Sequence, residues 1–469
     1  MKFLFAIGLL WSGLSAAAAA TEGDRRPEIA PRRRRAFNSP SSHDVHSLRG
    51  GGGNRVVVKT GLERLCSSPS LARNVTGGRP TCIFAHAASV LPDLTHAVDA
   101  LTSPKSGVDL RFVLAPEHGF RGAQQAGHGG KNSTIDPRTG LTVYSIYQKS
   151  YTDIATLLVS SDCETVLIDL QDSGARFYTY IWSMYDVLVA AAGARGAGSA
   201  PKVVVLDRPN PLGGAIMEGP VLDPDFASGV GKRPISLRHG LTLGEAAKLF
   251  NEEFVPTEPF SQGRRANLQV VTMEGWARAM VFASTGLPYV PPSPNLPTFR
   301  SMTLYVGTGL IEGVNLSEGR GTALPFQFLG APFVGWEFAA NLRADLARMG
   351  CETEIAVREA YFVPVMSKHA NKTCGGVEVM LLDEASDGED ALRVGIQIIK
   401  RAHDMYANAT AGNGFAWVKA GSKYWVDLLT GNAAVRTGID QGLSVDQIEA
   451  TWQEELDWYK LLANKYLLY

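Results

Sequence analysis

Residues 165–180 read Thr165-Val166-Leu167-Ile168-Asp169-Leu170-Gln171-Asp172-Ser173-Gly174-Ala175-Arg176-Phe177-Tyr178-Thr179-Tyr180. The run 165–168 has no apolar/polar alternation, so it suits a strand covered on both faces, and a cluster of acids, glycine and arginine follows at once. The same pattern recurs at 56–58, 82–84, 111–114 and 203–206. Stretches of helical character at 91–101, 153–158 and 182–192 separate these runs, which predicts βαβ alternation and a doubly wound sheet with helices on both faces.

In such a sheet ligands gather at the carboxyl ends of the strands, near a switch in strand order. The clusters that end the runs therefore share one edge: 61–63, 116–122 (Pro-Glu-His-Gly-Phe-Arg-Gly), 169–180 and 207–211 (Asp-Arg-Pro-Asn-Pro). Further on, 241–251 reads as an amphipathic helix in which Thr242 and Glu245 form a capping box. The proline-rich stretch 288–297 suits neither a helix nor a central strand, and we expect the domain boundary there. The remainder is mixed in character and ends in a helical pattern at 445–462, with no internal repeat.

A chain of 469 residues, 45% hydrophobic and 9% aromatic, can bury a sizeable core. Its formal net charge of −1 provides no long-range field for nucleic acid or an anionic membrane. Lys2, the apolar run 3–11 and small residues to Ala20 have the order of a secretory signal peptide; the apolar run is shorter than the ~20 residues that span a bilayer. Residues 21–54, with two arginine runs and a glycine tract, read as a disordered basic leader. We therefore expect a secreted protein, extracellular or in an exocytic compartment. Five cysteines (Cys66, Cys82, Cys163, Cys351, Cys374) leave at least one unpaired; Cys82 and Cys163, in apolar runs, read best as buried thiols. Asn74, Asn132, Asn315, Asn371 and Asn408 begin glycosylation sequons.

Glycoside hydrolysis needs a carboxylic acid to protonate the leaving oxygen, and a second carboxylate or the sugar's own acetamido group at the anomeric centre. Glu117 is the candidate acid, since burial at the sheet edge would favour its protonated form. Spacing alone leaves open a glutamate that merely caps a helix or pairs with Arg121. For the second group the sequence offers Asp169, Asp172, Glu218, Glu312 and Glu318. Asp172 and Glu218 both follow strand-end loops, and either would serve equally to orient Arg176 or Arg208. Arg121, Arg176, Arg208 and Arg320 suit bidentate recognition of a carboxylate, hence an acidic sugar. Tyr178 and Tyr180 offer a sugar ring an apolar face with a polar tip, or else pack under a helix. The glycine-rich 313–322 loop, with Asn315, Glu318 and Arg320, allows close approach of a ligand.

Other chemistries lack their local pattern. There is no G-x-S-x-G, H-E-x-x-H or G-x-G-x-x-G placed after the first run, and the resemblance of 127–134 to a phosphate loop fails at Asn132. No C-x-x-C pair is present, and His118 and His128 have no neighbouring ligand cluster, so no metal or cofactor is expected.

From about Arg55 to Tyr469 the chain resembles the NamZ-type exo-β-N-acetylmuramidases, through 116–122, 169–180, 206–211, 218–220, 238–242, 293–295, 312–322, 330–332 and 466–469 in order. The resemblance implies an α/β fold: a Rossmann-like, doubly wound, mostly parallel catalytic domain (55–290) and a smaller C-terminal α+β ancillary domain (291–469) that completes the substrate site. It implies release of terminal β-1,4-linked N-acetylmuramic acid from peptidoglycan fragments, with Glu117 as acid; the resemblance does not name the partner, for which we expect Glu218, then Asp172. Substrate contacts are expected from His118, Arg121, Arg176, Tyr178, Tyr180, Asp207, Arg208, Asn210, Asn295, Asn315, Glu318 and Arg320. Muramyl glycans are the expected partners, with no membrane span and no obligate protein partner. The sequence departs from the family at 85–88, where Ala-His-Ala-Ala replaces an asparagine-containing turn, and at Glu63, where an aspartate is usual. A muramyl-sugar-binding protein without activity, or a hydrolase of another acidic or acetamido sugar, is the alternative.

Overall fold

Strands β1 (Pro80–Ala85), β2 (Asp109–Ala115), β3 (Ser133–Ile135), β4 (Thr142–Ser145), β5 (Thr165–Asp169) and β6 (Lys202–Leu206) follow one another along the chain. A small pair, β7 (Glu218–Val221) and β8 (Ser236–Arg238), stands apart, and β9 (Asn267–Val271) returns to the main sheet. The sheet order is β3-β4-β2-β1-β5-β6-β9, parallel throughout except for β3 against β4. The chain thus builds outward from β1 in one direction through β2 and β4, then in the other through β5, β6 and β9. The switch point falls beside β1.

This is a computed structural model that describes residues 57–129, 131–194, 200–407 and 414–469, all within one compact unit, Val57–Tyr469. Residues 1–20 and 21–54, expected to be a signal peptide and a leader, lie outside the described residues.

Alternation along the strands divides the core in two. Cys82, Phe84, Val166, Ile168, Val203 and Val205 join one layer with helices Tyr151–Ser160, Tyr180–Gly193 and Leu243–Leu249. Ile83, Ala85, Val113, Leu167, Val204 and Leu206 join the other, with Gly61–Ser67, Pro69–Thr76 and Ala97–Leu101. Each fully buried Leu, Ile or Phe contributes about 1.5–3 kcal/mol. Side chains start these helices where the sequence placed polar caps: Ser150 with Asp153, and Thr242 with Glu245, both form capping boxes.

Four expectations need correction. Residues 57–58 form no strand, because Thr60 caps the helix Gly61–Ser67 before the run can pair; only Lys59 makes an isolated bridge, to Glu274. The helix expected over 91–101 begins only at Ala97, after Leu94 adopts φ 67 and His96 caps Val98 N–H. The pattern 445–462 is two helices, Val445–Ala450 and Gln453–Ala463. Cys82 and Cys163 are not thiols but a disulfide, their Cα atoms 5.8 Å apart because β1 lies beside β5; Cys66, Cys351 and Cys374 are free.

The C-terminal part carries an antiparallel sheet of β10 (Phe328–Ala331), β11 (Ile355–Phe362) and β12 (Cys374–Leu381) in the order β10-β12-β11, packed with helices Phe299–Thr308, Glu337–Met349 and Ala391–Tyr406. Its core is continuous with one face of the large sheet. Helices 299–308 and 391–406 touch backbone to backbone: a Cβ on Gly307 would lie 1.8 Å from the Ala391 carbonyl oxygen, and one on Gly395 2.3 Å from that of Gly307. Only glycine permits this approach.

Candidate active site at the ends of β1, β2 and β5

Two residues beyond β2, Glu117 is 8% exposed. Its Oε1 accepts the Gly127 N–H at 2.6 Å and its Oε2 the Thr179 hydroxyl at 2.7 Å. The single proton of the Tyr180 hydroxyl is shared between the Glu117 carbonyl, 3.2 Å away, and the Pro292 carbonyl, 2.9 Å away. Glu117 is therefore held by Gly127, ten residues on, and by Thr179 and Tyr180, 62 and 63 residues on. For Tyr147, just past β4, burial and then the charge of Glu117 push the phenol pKa up.

An aromatic wall stands beside the acid. Tyr178 packs on Tyr180 at 4.7 Å between centroids and edge-on to Tyr305 at 6.4 Å, and Tyr305 meets Phe326 at 4.7 Å. Burial raises the Tyr178, Tyr180 and Tyr305 hydroxyls, and the charge of Glu117 adds to each shift. The charge of Asp172 adds to the shifts of Tyr180 and Tyr305 as well.

Asp172 is 6% exposed. Its Oδ2 accepts the Gly174 N–H at 2.8 Å and lies 3.1 Å from His239 Nε2. Because His239 Nδ1 accepts the Leu241 N–H, the ring proton sits on Nε2 and is donated to Asp172. Its Oδ1 is buried and has no hydrogen-bond partner among the described residues. At the end of β1, His86 shows the converse: Nε2 accepts the Gln171 N–H at 2.9 Å, leaving the proton on a buried Nδ1 that has no acceptor among the described residues. The His86 ring meets Tyr180 edge-on at 4.7 Å. Burial, then the charge of Arg208, holds its pKa well below the usual imidazole value.

The 314–322 loop closes the group from the C-terminal part. Arg320 donates to Glu312 at 2.5 Å, lies 3.3 Å from Glu318 Oε1, and stacks over Phe326 at 5.0 Å. Lys368 pairs with Glu318 Oε2 at 2.9 Å. The Arg320 charge reaches His118, whose pKa is lowered chiefly by burial and partly restored by Glu117. Asn295 bonds Gln125, two residues before the Gly127 donor, at 3.3 Å. A cleft of about 310 Å³ opens beside His118, between the 118–124 loop and the β3–β4 edge.

Glu117, His118, Asp172, Tyr178, Tyr180, Glu318, Arg320 and Asn295 are thus grouped or adjoin the group. The other expected residues have their polar atoms engaged elsewhere. Arg121 pairs with Asp136 and Asp99. Arg176, fully buried, donates to the Pro220, Ile235 and Leu429 carbonyls, and desolvation lowers its pKa to about 9. Arg208 grips Asp169 with both prongs at 2.6 and 2.9 Å. Asp207 accepts from Thr242, Gly244 and the Tyr469 hydroxyl. Asn210 ties the Leu212 N–H to the Leu241 carbonyl, and Asn315 ties Gly414 to Ala416. Glu218 bonds Arg238 at 3.0 Å, amid Glu389 and Glu449 rather than Glu117. These are the fastenings of the loops, not their free ends. Among the described residues no group of three or more His, Cys, Asp or Glu is placed to hold a metal, and no helix is long and apolar enough to cross a membrane.

Residues 81–300 match the N-terminal, and residues 303–469 the C-terminal, domain of exo-β-N-acetylmuramidase NamZ. This chain belongs to the NamZ family. It is 39% identical, over 88% of its length and 91% of the relative's, to the peptidoglycan β-N-acetylmuramidase NamZ of Bacillus subtilis. Two crystal structures of DUF1343 family proteins from Bacteroides fragilis superpose with TM-scores of 0.74 and 0.66, each 29% identical. Each covers 88% of this chain, which in turn spans 100% and 99% of theirs. Against the NamZ-like motifs, sequence reasoning missed Thr179, Tyr147 and Tyr305 around Glu117, and His86 and His239 around the 171–172 turn. Thr179 and His239 lie inside quoted motifs, whereas Tyr305 sits within an apolar helix and carries no signal of its own.

Proposed function

We propose that the protein is a secreted exo-acting glycoside hydrolase that releases terminal β-1,4-linked N-acetylmuramic acid from peptidoglycan fragments, with Glu117 donating the proton to the leaving oxygen. The observation that carries this reading is the buried Glu117 carboxyl, oriented by Gly127 and Thr179 against a tyrosine wall. Membership of the NamZ family supports the substrate. In this reading residues 303–469 complete the pocket through Arg320, the grouped cation best placed to meet the lactyl carboxylate, and residues 1–20 direct export.

Incubation with 4-nitrophenyl β-N-acetylmuraminide and with a muramyl-terminated disaccharide tests it. The expected result is release of N-acetylmuramic acid from the non-reducing end, slowed about 10²–10⁴-fold in Glu117→Gln. Binding without release would favour a muramyl-sugar-binding protein, and equal turnover by both proteins would remove Glu117 from its role. Expression of the full chain in a secreting host, with the amino terminus of the exported product sequenced, tests the signal segment.

A further inference from the structure

The Asp172 carboxyl is half satisfied. One oxygen is held by the Gly174 N–H and His239 Nε2–H, while the other is buried with no donor among the described residues. A buried acceptor left without a donor is costly, and an oriented carboxyl with one open oxygen is suited to an N–H brought in by a ligand. Asp172 follows β5 and Glu117 follows β2, on either side of β1, and the His86 ring that accepts the Gln171 N–H meets Tyr180, whose hydroxyl reaches the Glu117 carbonyl. Between them, at the end of β1, the His86 Nδ1–H is a buried donor with no acceptor among the described residues. A secondary amide offers one donor and one acceptor. Among the described residues the other candidate carboxyl groups are each paired with a cation: Glu218 with Arg238, Asp169 with Arg208, Glu312 with Arg320, and Glu318 with Arg320 and Lys368.

We propose that Asp172 receives the N–H of the sugar's 2-acetamido group and that this group, not an enzyme carboxylate, attacks the anomeric carbon. The proposal rests on the glycosidase reading above and deepens it. In the first step the acetamido carbonyl oxygen bonds to C1 as the C1–O bond to the leaving sugar breaks, and that oxygen takes the Glu117 proton. Asp172 Oδ1 accepts the N–H of the resulting oxazolinium. Water then adds to C1 and gives its proton to the Glu117 carboxylate as the bond from C1 to the acetamido oxygen breaks, restoring the amide. The configuration at C1 is retained, and the substrate class narrows to 2-acetamido sugars.

The test compares 4-nitrophenyl β-N-acetylmuraminide with its N-trifluoroacetyl analogue, whose carbonyl is a poorer nucleophile. Wild type is expected to slow about hundredfold or more on the analogue, and proton NMR of early product to show the β-anomer. Asp172→Ala is expected to lower kcat about 10²–10³-fold and to weaken a muramyl thiazoline, which mimics the bicyclic intermediate, far more than it weakens free N-acetylmuramic acid. A purely structural Asp172 would weaken both alike, and that outcome overturns the assignment. If Asp172→Ala does not fold, Asp172→Asn replaces it, and the stereochemical and fluorination arms on wild type need no variant. Turnover with an α-anomeric product, or with indifference to fluorination, overturns this inference alone. Absence of any turnover by wild type overturns the glycosidase reading on which it rests.

Discussion

Thr179 and Glu117, 62 residues apart, meet in a hydrogen bond of 2.7 Å that joins the amino end of the helix Tyr180–Gly193 to the loop after β2. The hydroxyl has one task there, to hold Oε2 while Gly127 holds Oε1. Thr179→Val preserves shape and removes the donor. Such a hydrogen bond contributes about 0.5–1.5 kcal/mol, so kcat is expected to fall roughly twofold to tenfold. Steady-state kinetics at saturating substrate, with a thermal midpoint matching wild type, checks it; unchanged kcat would mean that Gly127 suffices.

Asp207 makes a different prediction. Burial raises its folded pKa to about 6, and the Tyr469 hydroxyl opposes that shift. A carboxyl whose pKa is raised on folding stabilises the native state least once pH exceeds that value, because the native form must then hold a buried charge. Removing a donor to that charge makes matters worse only where the charge exists. Tyr469→Phe should therefore cost about 1–3 kcal/mol near pH 8 and clearly less near pH 5, read by urea unfolding at the two pH values.

For Glu218 the folded pKa is raised to about 7, with burial outweighing the lowering by Arg238. Wild-type stability then falls as pH rises from the unfolded value near 4.5 to about 7, and is flat beyond. Glutamine does not titrate. The stability of Glu218→Gln relative to wild type should climb across that window by up to about 3 kcal/mol, whatever the offset from losing the Arg238 contact. A parallel pair of stability curves would show that Glu218 titrates normally.

The disulfide between Cys82 and Cys163 closes a separation of 81 residues, and such a loop is worth about 4–5 kcal/mol in the chain-entropy account. Titration of the denatured, unreduced protein should find three thiols, from Cys66, Cys351 and Cys374, and five after reduction. The Cys82→Ala/Cys163→Ala variant should unfold at a markedly lower temperature.

The strands of the large sheet were legible because they are buried on both faces: the uninterrupted runs at 82–84, 111–114, 165–168 and 203–206 all became parallel strands. Legibility failed where a short apolar run met a stronger local signal, as at 57–58, where the Thr60 cap prevailed. The clusters at the strand ends were legible as an edge, but not residue by residue. An arginine in a loop reads alike whether its fork faces a ligand or a carbonyl. Arg176 is consumed by Pro220, Ile235 and Leu429, contacts 44 to 253 residues away that no local pattern encodes. Glu218 and Asp172 were equivalent in sequence; what separates them is that Arg238 lies opposite the first in the β7–β8 register while an oxygen of the second is left open.

The backbone contact of Gly307 with Gly395 has a reach beyond its own interface. The helix Phe299–Thr308 carries Tyr305 into the aromatic wall, and its depth is gauged by how near it can lie to Ala391–Tyr406. Two absent methyl groups therefore act as a spacer setting. A single alanine at 395 would press on the Gly307 backbone, two residues from Tyr305, so a methyl group added outside the aromatic wall would be felt by the helix that carries it.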